Sequence, residues 1–454
     1  MKIHNKIKIF FLIGVVCLIS FGNEKNPNLE ISIYTLLSSS TTNSHEKIEL
    51  TPANYLSDYV NTWGGNESDT AMDITLDASG NVYIAGSTYS FGAGDQDAFI
   101  AKYDSLGNSL LNITWGGSEV DSAAGITLDA TGNIYITGTT YNFDKAEMDA
   151  FVAKFNSTGH SLMNITWGGM ERDHGSDIEL DASGNIYISG STWSFSRGDY
   201  DAFIAKFNST GHSLLNKTWG GTGGETGYDL ELDSSGNIYI SGRTLSFGWS
   251  AFVAKFNSSG HSLMNITWHD PTYAFGFGMV LDDIGNIYVT GNGYVRTGMG
   301  YDAFILKFNS TGDLKMTIFW GGNETDGGSE VVLDTAGNLF MIGATDSFGE
   351  GGYDVFIAKF NSTGHSLLNK TWGGSGDDWG MNMILDNQGN IFMTGYTESF
   401  GAGDNDAFIA KYTRDPDGDT GGIPGYNWLF LIGLLGITFI ILAKLRNRIK
   451  INKV

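Results

Sequence analysis

Short runs in which polar and apolar residues alternate recur along the chain, separated by small polar residues and glycine. One stretch contains DIELD from Asp177, NIYISGST from Asn185, DAFIAKF from Asp201 and SLLNKTW from Ser213. Such alternation is typical of β-strands that bury one face. The intervening DASG and NSTG each combine an Asx residue with a glycine, which suits a tight hairpin turn. The stretch therefore predicts a four-stranded antiparallel sheet.

This stretch is one of seven similar units. Their fourth runs end at Trp63, Trp115, Trp167, Trp219, Trp268, Trp320 and Trp372. The spacing is 52 residues in five intervals and 49 in one, and a recurring Gly-Asn pair after the first run returns the same intervals. Two independent markers with one period establish an internal repeat.

The two ends of the array favour a closed ring over an open solenoid. The array begins with a fourth-type strand, Asn54–Trp63, and ends with a third-type strand, Asp406–Tyr412. Together these leftover strands complete one sheet and remove two free sheet edges. The sequence therefore predicts an all-β protein, with a seven-bladed β-propeller over residues 54–412 that the N-terminal fourth strand closes.

The units LDASGNIYISGSTWSF, DAFIAKFNSTG and TWGG also resemble the SBBP type of β-propeller repeat, which occurs in many secreted and cell-surface prokaryotic proteins. The resemblance covers all seven units and implies a propeller at the cell surface. It carries no catalytic residues that could be transferred to this chain. Unit five departs from the pattern, because TWHDPTYAFGFG replaces the TWGG segment and GNGYVRTGMG replaces the loop after the second strand.

The N-terminal residues predict export. Lys2, Lys6 and Lys8 precede an apolar stretch from Ile9 to Phe21, which is the layout of a secretory signal peptide over residues 1–22. An uncleaved N-terminal anchor is the alternative. A polar segment, residues 23–53, separates this stretch from the propeller.

The C-terminal residues predict a membrane anchor. An acidic Gly/Asp linker, residues 413–425, leads to an apolar run from Trp428 to Ala443 and then to five basic residues. We expect a transmembrane helix within residues 426–454, with the basic tail in the cytoplasm and the propeller outside. A buried core helix is the alternative. The tail IPGYNWLFLIGLLG is similar to a C-terminal anchoring signal of archaeal surface proteins.

The charge distribution narrows the class of partner. The formal charge is −24, and eight of the 26 basic residues lie in the two terminal segments, which contain no acids. The intervening residues 9–443 hold 18 basic and 50 acidic residues, a net charge of −32. Such a surface repels nucleic acid and attracts cations. The one cysteine, Cys17, lies in the predicted signal peptide.

The hairpin geometry sorts the candidate residues onto two faces. The turn face carries the first-to-second and third-to-fourth turns, and the loop face carries the second-to-third loops and the links between blades. Twelve Asn-x-Ser/Thr sequons predict glycosylation of the turn face, the rim and two links. The alternative is that these residues only form turns. The twelve are Asn66, Asn112, Asn156, Asn164, Asn208, Asn216, Asn257, Asn265, Asn309, Asn323, Asn361 and Asn369.

An acidic residue precedes the first strand of six units, and these residues are expected to circle the axis on the loop face. A functional interpretation is a carboxylate ring that binds calcium or another cation. The alternative is that each carboxylate caps the backbone of its own inter-blade link. The six are Asp69, Asp121, Asp173, Glu225, Asp326 and Asp378, and Ala274 occupies the position in unit five.

Irregular loop-face aromatics are candidates for stacking on sugars or peptide, with core packing as the alternative. They are Trp193, Tyr228, Trp249, Tyr273, Phe275 and Trp379. No phosphate-binding loop with its lysine, nucleophile elbow or cluster of metal ligands at helical spacing occurs in the sequence. We therefore expect a non-enzymatic binding or envelope-structural module that contacts a glycan or protein through the loop face. Calcium is the one cofactor that the pattern suggests. The alternative is an extracellular polysaccharide-active or hydrolytic enzyme with its site near repeat five.

Overall fold

The chain forms two compact units, residues 1–51 and residues 52–454. The computed structural model describes residues 8–12, 15–20, 30–35, 55–141, 147–269, 273–294 and 300–414. In the first unit, Lys8–Leu12, Val15–Ser20 and Glu30–Thr35 pair as a three-stranded antiparallel sheet. The predicted signal peptide includes two of these strands, and its cleavage stays a prediction.

Residues 55–414 form seven four-stranded antiparallel blades, which confirms the predicted architecture. The first strands, in blade order, are Asp69–Leu76, Asp121–Leu128, Asp173–Leu180, Glu225–Leu232, Ala274–Leu281, Asp326–Leu333 and Asp378–Leu385. The second strands are Val82–Thr88, Ile134–Tyr141, Ile186–Thr192, Ile238–Thr244, Ile287–Gly293, Leu339–Thr345 and Ile391–Thr397.

The third strands are Asp97–Tyr103, Met148–Phe155, Asp201–Phe207, Ser250–Phe256, Asp302–Phe308, Asp354–Phe360 and Asp406–Arg414. The fourth strands are Ser109–Trp115, Ser161–Trp167, Ser213–Trp219, Ser262–Trp268, Leu314–Trp320, Ser366–Trp372 and, for blade 7, Tyr55–Trp63. The first strands of neighbouring blades contact one another all round the ring, and we call them inner strands. The fourth strands lie at the rim, where their side chains alternate between exposed and half-buried.

The N-terminal strand closes the ring as the sequence predicted. Tyr55–Trp63 pairs antiparallel with Asp406–Arg414, so that Ala407 lies opposite Trp63 and Ala410 lies opposite Val60. The inner strand of blade 7 contacts that of blade 1. The last strand ends at Arg414, two residues beyond the predicted limit of the propeller.

The remainder of the predicted linker and the predicted membrane helix lie outside the described residues. No helix in the described ranges is both long enough and apolar enough to span a membrane.

The hydrophobic core consists of layers between adjacent blades. Between blades 1 and 2, for example, Ala98 and Ile100 pack against Ile136 and Phe151. The second and third strands of each blade are almost entirely buried, since both of their faces contact a neighbouring blade. The repeated sequence DAFIAKF therefore supplies the same packing surface to every layer.

Each inner strand contains a β-bulge that the sequence pattern concealed. In blade 3 the strand begins at Asp173, four residues before the predicted start at Asp177, and its register shifts between Gly175 and Asp177. The extra residue, Ser176, interrupts the two-residue alternation, so only the segment after it had the pattern of a strand. The bulge places two consecutive residues, Ser176 and Asp177, beside the ring axis.

The tryptophans that end the fourth strands fasten each blade to the next. Trp167 stacks on Phe203 of the following blade, with ring centroids 3.9 Å apart and an interplanar angle of 21°. Its indole N–H donates to Oδ1 of Asn216 on the next fourth strand, over 2.7 Å. Four other tryptophans, Trp63, Trp115, Trp219 and Trp320, make the same two contacts.

Two tryptophans lack the asparagine and are tilted. The residue at the position of this asparagine is Thr317 in the blade that follows Trp268 and Val60 in the blade that follows Trp372. These indoles lie at 60° and 49° to the next phenylalanine ring, with centroids 5.0 and 4.8 Å away. The five asparagine-bonded tryptophans all lie at 26° or less. The hydrogen bond therefore holds the indole parallel to the phenylalanine ring.

We predict that Asn216→Thr lowers the free energy of unfolding by about 1 kcal/mol, since it removes one hydrogen bond and frees the Trp167 ring. The reverse change, Thr317→Asn, should give Trp268 a partner and raise stability. Urea unfolding and near-ultraviolet circular dichroism of protein from a non-glycosylating host measure both effects. Unfolding free energies and aromatic spectra that match the parent protein would contradict this role.

Candidate ligand site on the propeller axis

The six acidic residues predicted to form a ring are the first residues of their inner strands, but their side chains are buried between blades. None is more than 2% exposed. In every case one carboxylate oxygen accepts the N–H of the second glycine of the Trp-Gly-Gly link, as Asp69 does from Gly65 over 2.7 Å. This geometry favours the capping alternative. We call these residues the joint carboxylates.

We call the Trp-Gly-Gly link and the residues around it the joint between two blades. At six of the joints a second buried aspartate, on the third strand of the preceding blade, lies near the joint carboxylate. These residues are Asp97, Asp149, Asp201, Asp302, Asp354 and Asp406. In the joint between blades 3 and 4, a methyl group on Gly220 would lie 2.3 Å from Asp201 Oδ1 and 2.4 Å from Glu225 Oε2. The first glycine of Trp-Gly-Gly is therefore required, because two carboxylates occupy the space of a side chain.

The one exceptional joint, between blades 4 and 5, changes all three positions together. His269 replaces the glycine, Ser250 replaces the third-strand aspartate and Ala274 replaces the joint carboxylate. A side chain at the glycine position thus occurs only where both carboxylates are gone. The first departure of unit five from the repeat is thus a compensated change in one joint, and blade 5 keeps its four strands. The second departure, GNGYVRTGMG, includes residues outside the described ranges.

The joint carboxylates do not form a cation site in the described structure. Within the part of the chain that is described, no three His, Cys, Asp or Glu side chains are grouped so that they could hold a metal ion. Burial and then Asp97 raise the pKa of Asp121, and burial and then Glu225 raise the pKa of Asp201, against the hydrogen bonds that these groups accept. Calcium binding stays a prediction.

The axis holds a cavity of about 510 Å³. Its walls come mainly from the first five residues of the inner strands and from Tyr353, which ends the second-to-third loop of blade 6, with Thr325 and Asn292 completing the lining. Both features belong to the loop face, so the cavity lies on the face predicted to make contacts. Its size lies within the range of pockets that take small molecules.

Four carboxylates line this cavity, and we call them the axial carboxylates: Asp73, Asp177, Asp229 and Glu330. They occupy the residue directly after the bulge in blades 1, 3, 4 and 6. Blades 2 and 5 have Gly125 and Gly278 there, and blade 7 has Asn382. No Lys, Arg or His occurs among the described residues that line the cavity.

The axial carboxylates also join neighbouring blades. Asp73 accepts the backbone N–H of Ile126 in blade 2 and the side-chain amide of Asn382 in blade 7, both over 2.7 Å. Asp177 accepts the N–H of Leu230 in blade 4 over 2.9 Å, and Asp229 accepts that of Met279 in blade 5. These hydrogen bonds fix the carboxylates without supplying a counter-charge.

Burial and mutual repulsion raise the pKa values of these groups. Burial, followed by the Asp177 charge, raises the pKa of Asp73 to about 8. The same two causes raise the pKa of Glu231, two residues beyond Asp229, to about 8. The pKa values of Asp229 and Glu330 are also raised well above their ordinary range, by burial first and then by neighbouring acids. These shifts favour the protonated forms of the carboxyl groups at neutral pH.

Two aromatic groups flank the axial carboxylates. On one side Tyr228 and Phe277 have ring centroids 5.1 Å apart. The guanidinium of Arg243 lies 5.8 Å from the Tyr228 ring and donates to the Tyr200 hydroxyl over 3.2 Å. Across the cavity, Trp379 lies 4.9 Å from Tyr353. Blades 1 to 3 have no aromatic residue at the bulge, where they carry Met72, Ala124 and Ser176.

Part of this site could be predicted from the sequence. Of the six predicted loop-face aromatics, Tyr228 and Trp379 line the cavity. Phe275 lies against Arg243 and Trp249, and Trp249 also contacts Tyr273. Trp193 packs against Tyr200. The axial carboxylates were not among the site residues predicted from the sequence. Each lies four residues after a joint carboxylate, at a position that differs between units while most other positions are constant.

The raised pKa values predict that stability falls as pH rises from 5 to 9. Over this range the folded protein holds protons that the unfolded carboxyl groups, with pKa values of about 4, have already lost. The free energy of unfolding must then decrease until the folded groups titrate, at about 8 for Asp73 and Glu231. Melting temperature measured across this pH range tests the sign.

Glu231→Gln should flatten the pH profile, because it removes one of the titrating groups. Glu119→Gln is the matched control, since Glu119 is exposed in an inter-blade link. A melting temperature that rises from pH 5 to pH 9 would show that the axial acids are not buried as described.

Comparison with known proteins shows the fold and no family. No protein-family model matches the chain. The regulatory protein FlaEY of Caulobacter vibrioides is similar, with 22% identity over 336 residues, which are 67% of this chain and 33% of FlaEY. The chain therefore spans one third of that relative's length. Membership of the SBBP family stays a prediction.

A solved structure with a TM-score above 0.5 has a similar fold. An ulvan lyase, a polysaccharide lyase bound to its saccharide, has a TM-score of 0.51 at 12% identity and covers 77% of this chain and 94% of its own. The WD40 domain of Pan2 from Neurospora crassa has a TM-score of 0.44 at 9% identity and covers 79% and 90%. At such identities, the likeness concerns the fold alone.

Proposed function

We propose that this protein is a membrane-anchored, extracellular propeller that binds a small ligand, or a side chain of a larger partner, in its axial cavity. The observation that carries the proposal is the contrast between the repeated residues that join the blades, which form the frame, and the variable residues that line the cavity. The joint carboxylates, glycines and tryptophans recur in nearly every blade, whereas the residues beside the axis differ from blade to blade. An asymmetric cavity inside a repeated ring suits a ligand that lacks the symmetry of the ring.

The terminal segments support the proposed location. Three lysines followed by an apolar run favour export, and an apolar run followed by five basic residues favours an anchor whose tail stays inside. The net charge of −32 between them suits a protein that stays soluble outside the cell and does not bind nucleic acid.

Glycosylation would leave most of the loop face free as the contact surface, since only two of the twelve sequons lie in its links. Seven of the sequon asparagines are exposed: Asn66, Asn112, Asn164, Asn216, Asn265, Asn323 and Asn369. The five turn asparagines are half-buried, and their Oδ1 atoms accept turn hydrogen bonds, as Asn208 does from Thr210 and His212. We expect glycans mainly on the turn face and rim, and an intact mass equal to the bare polypeptide would contradict this.

A second candidate function is a polysaccharide-active or hydrolytic enzyme. The observation that favours it is the set of axial carboxylates with raised pKa values, because a general acid must hold its proton near neutral pH. The ulvan lyase shows that a propeller of similar fold acts on a polysaccharide. Incubation with ulvan and with a panel of hydrolase substrates tests this function, and turnover that Glu330→Gln abolishes would establish it.

A cavity-filling variant tests the binding function. Gly327 lines the cavity and has room for a side chain, since the nearest atom to an added methyl group is 3.6 Å away. Equivalent inner-strand positions already hold Phe275 and Trp379. We expect Gly327→Phe to keep the melting temperature within a few degrees and to weaken binding of cavity ligands at least tenfold. Calorimetry with phenethylamine, phenethyl alcohol, 3-phenylpropanoate, rhamnose and glucuronate provides the measurement.

The matched control is Ala182→Phe, which adds the same group to an exposed turn on the opposite face. It should leave all affinities unchanged. If none of the five probes binds, or if Gly327→Phe binds them as the parent does, the axial cavity is not the binding site.

A further inference from the structure

We propose that the axial cavity takes an organic cation, with an ammonium or guanidinium head beside the axial carboxylates and an apolar or aromatic body against Tyr228, Phe277 and Trp379. This inference deepens the proposed function and depends on it. It assigns the ligand by charge and shape.

The charge of the cavity is the first reason. Asp73, Asp177, Asp229 and Glu330 line one small volume, and the described lining contains no basic side chain. Their hydrogen bonds come from neutral backbone and amide N–H groups, which leave the total charge uncompensated. A cation in the cavity would supply the missing counter-charge, and the surrounding surface would attract it.

The hydrogen-bonding chemistry of the head group is a second reason. An ammonium or guanidinium group carries only hydrogen-bond donors, so it matches the carboxylate oxygens that line the cavity.

The aromatic walls point to an organic cation with an apolar body. Aromatic faces attract cations and pack against hydrocarbon, and both properties recur in sites for substituted ammonium groups. The protein itself shows the pairing, because Arg243 lies 5.8 Å from Tyr228 and 5.9 Å from Phe275. Tyr353 and Trp379 provide a second aromatic surface on the far side of the carboxylates.

A bare metal ion fits the cavity poorly. Calcium requires several oxygens that converge at 2.3–2.6 Å. No such group of His, Cys, Asp or Glu occurs in the described ranges. The volume of about 510 Å³ also exceeds what a single ion fills. A ligand with a body as well as a charge accounts for both the volume and the aromatic walls.

Protons compete with the cation for the same oxygens. As pH rises, the carboxylates ionise, so affinity for a permanently charged ligand should increase and binding should release protons. Besides the joint carboxylates, the titratable or charged groups on the elements around the head group are Asp73, Asp177, Glu179, Asp229, Glu231, Glu330, His174, Tyr228, Arg243 and Tyr353.

Three probes of one shape test the inference on the unmodified protein. Phenethylamine carries an ammonium group, phenethyl alcohol replaces it with a hydroxyl, and 3-phenylpropanoate replaces it with a carboxylate. Calorimetry at pH 7.5 should show phenethylamine binding at least tenfold more tightly than the alcohol, and no binding of the carboxylate. From pH 6 to pH 8 the affinity for phenethylamine should rise at least threefold, with proton release visible as a dependence on buffer ionisation enthalpy.

Two variants test whether the axial carboxylates bind the ammonium group. Glu330→Gln keeps an oxygen for the N–H of Val331, which donates to Glu330 Oε1 over 2.8 Å, and should weaken phenethylamine at least tenfold. Glu119→Gln, an exposed acid outside the cavity, should change the affinity by less than twofold. Melting temperatures establish that both variants are folded, and the comparison of the three probes needs no variant.

The outcomes separate this inference from the proposed function. If the alcohol or the carboxylate binds as tightly as the amine, and Gly327→Phe abolishes that binding, the cavity binds ligands but the cation assignment is wrong. The assignment is equally wrong if calcium chloride binds and displaces phenethylamine completely. If no probe binds in a manner sensitive to Gly327→Phe, both proposals fail.

Discussion

The pairing of one strand from each end of the propeller is the constraint on which the rest of the structure depends. Without Tyr55–Trp63, blade 7 would end at Asp406–Arg414 with an open edge. The layer between blades 7 and 1 would also lose Tyr59 and Trp63 from its margin. The axial cavity takes residues from all seven inner strands, so its shape exists only when the ring is closed. The pairing of these two strands thus determines whether the axial cavity can form.

The residues that join the blades are constrained by their neighbours, whereas the residues that line the cavity differ between blades. At each joint, buried partners fix the residues, because two carboxylates leave room only for glycine and an asparagine holds the tryptophan flat. Beside the axis, the bulge residues line the cavity and differ in size from blade to blade, while three of the carboxylates that follow them also accept hydrogen bonds from a neighbouring blade. Ala124 and Gly125 in blade 2 correspond to Tyr228 and Asp229 in blade 4. A repeated frame therefore supports an asymmetric site.

Much of the fold was readable from the sequence, since hairpin turns, strand alternation and the offset ends act over short distances. The site was less readable. Asp177 belongs to the alternating run DIELD and had no mark of function, because the bulge at Ser176 is invisible in the pattern. Its neighbours in the cavity from other blades lie 50 or more residues away along the chain, and their approach follows only from the ring. The joint carboxylates were found as a series, but what they contact required the structure.

A circular permutant tests ring closure most directly. The chain would run from residue 64 to Tyr412, continue through the NSTGH turn that stands between Phe207 and Ser213, and end with residues 57–63. Blade 7 would then be one continuous meander. The account predicts that the permutant melts within a few degrees of the parent propeller, whereas the same chain without its last strand melts at a much lower temperature. Equal melting temperatures for the permutant and the strand-deleted chain would contradict closure as the source of stability.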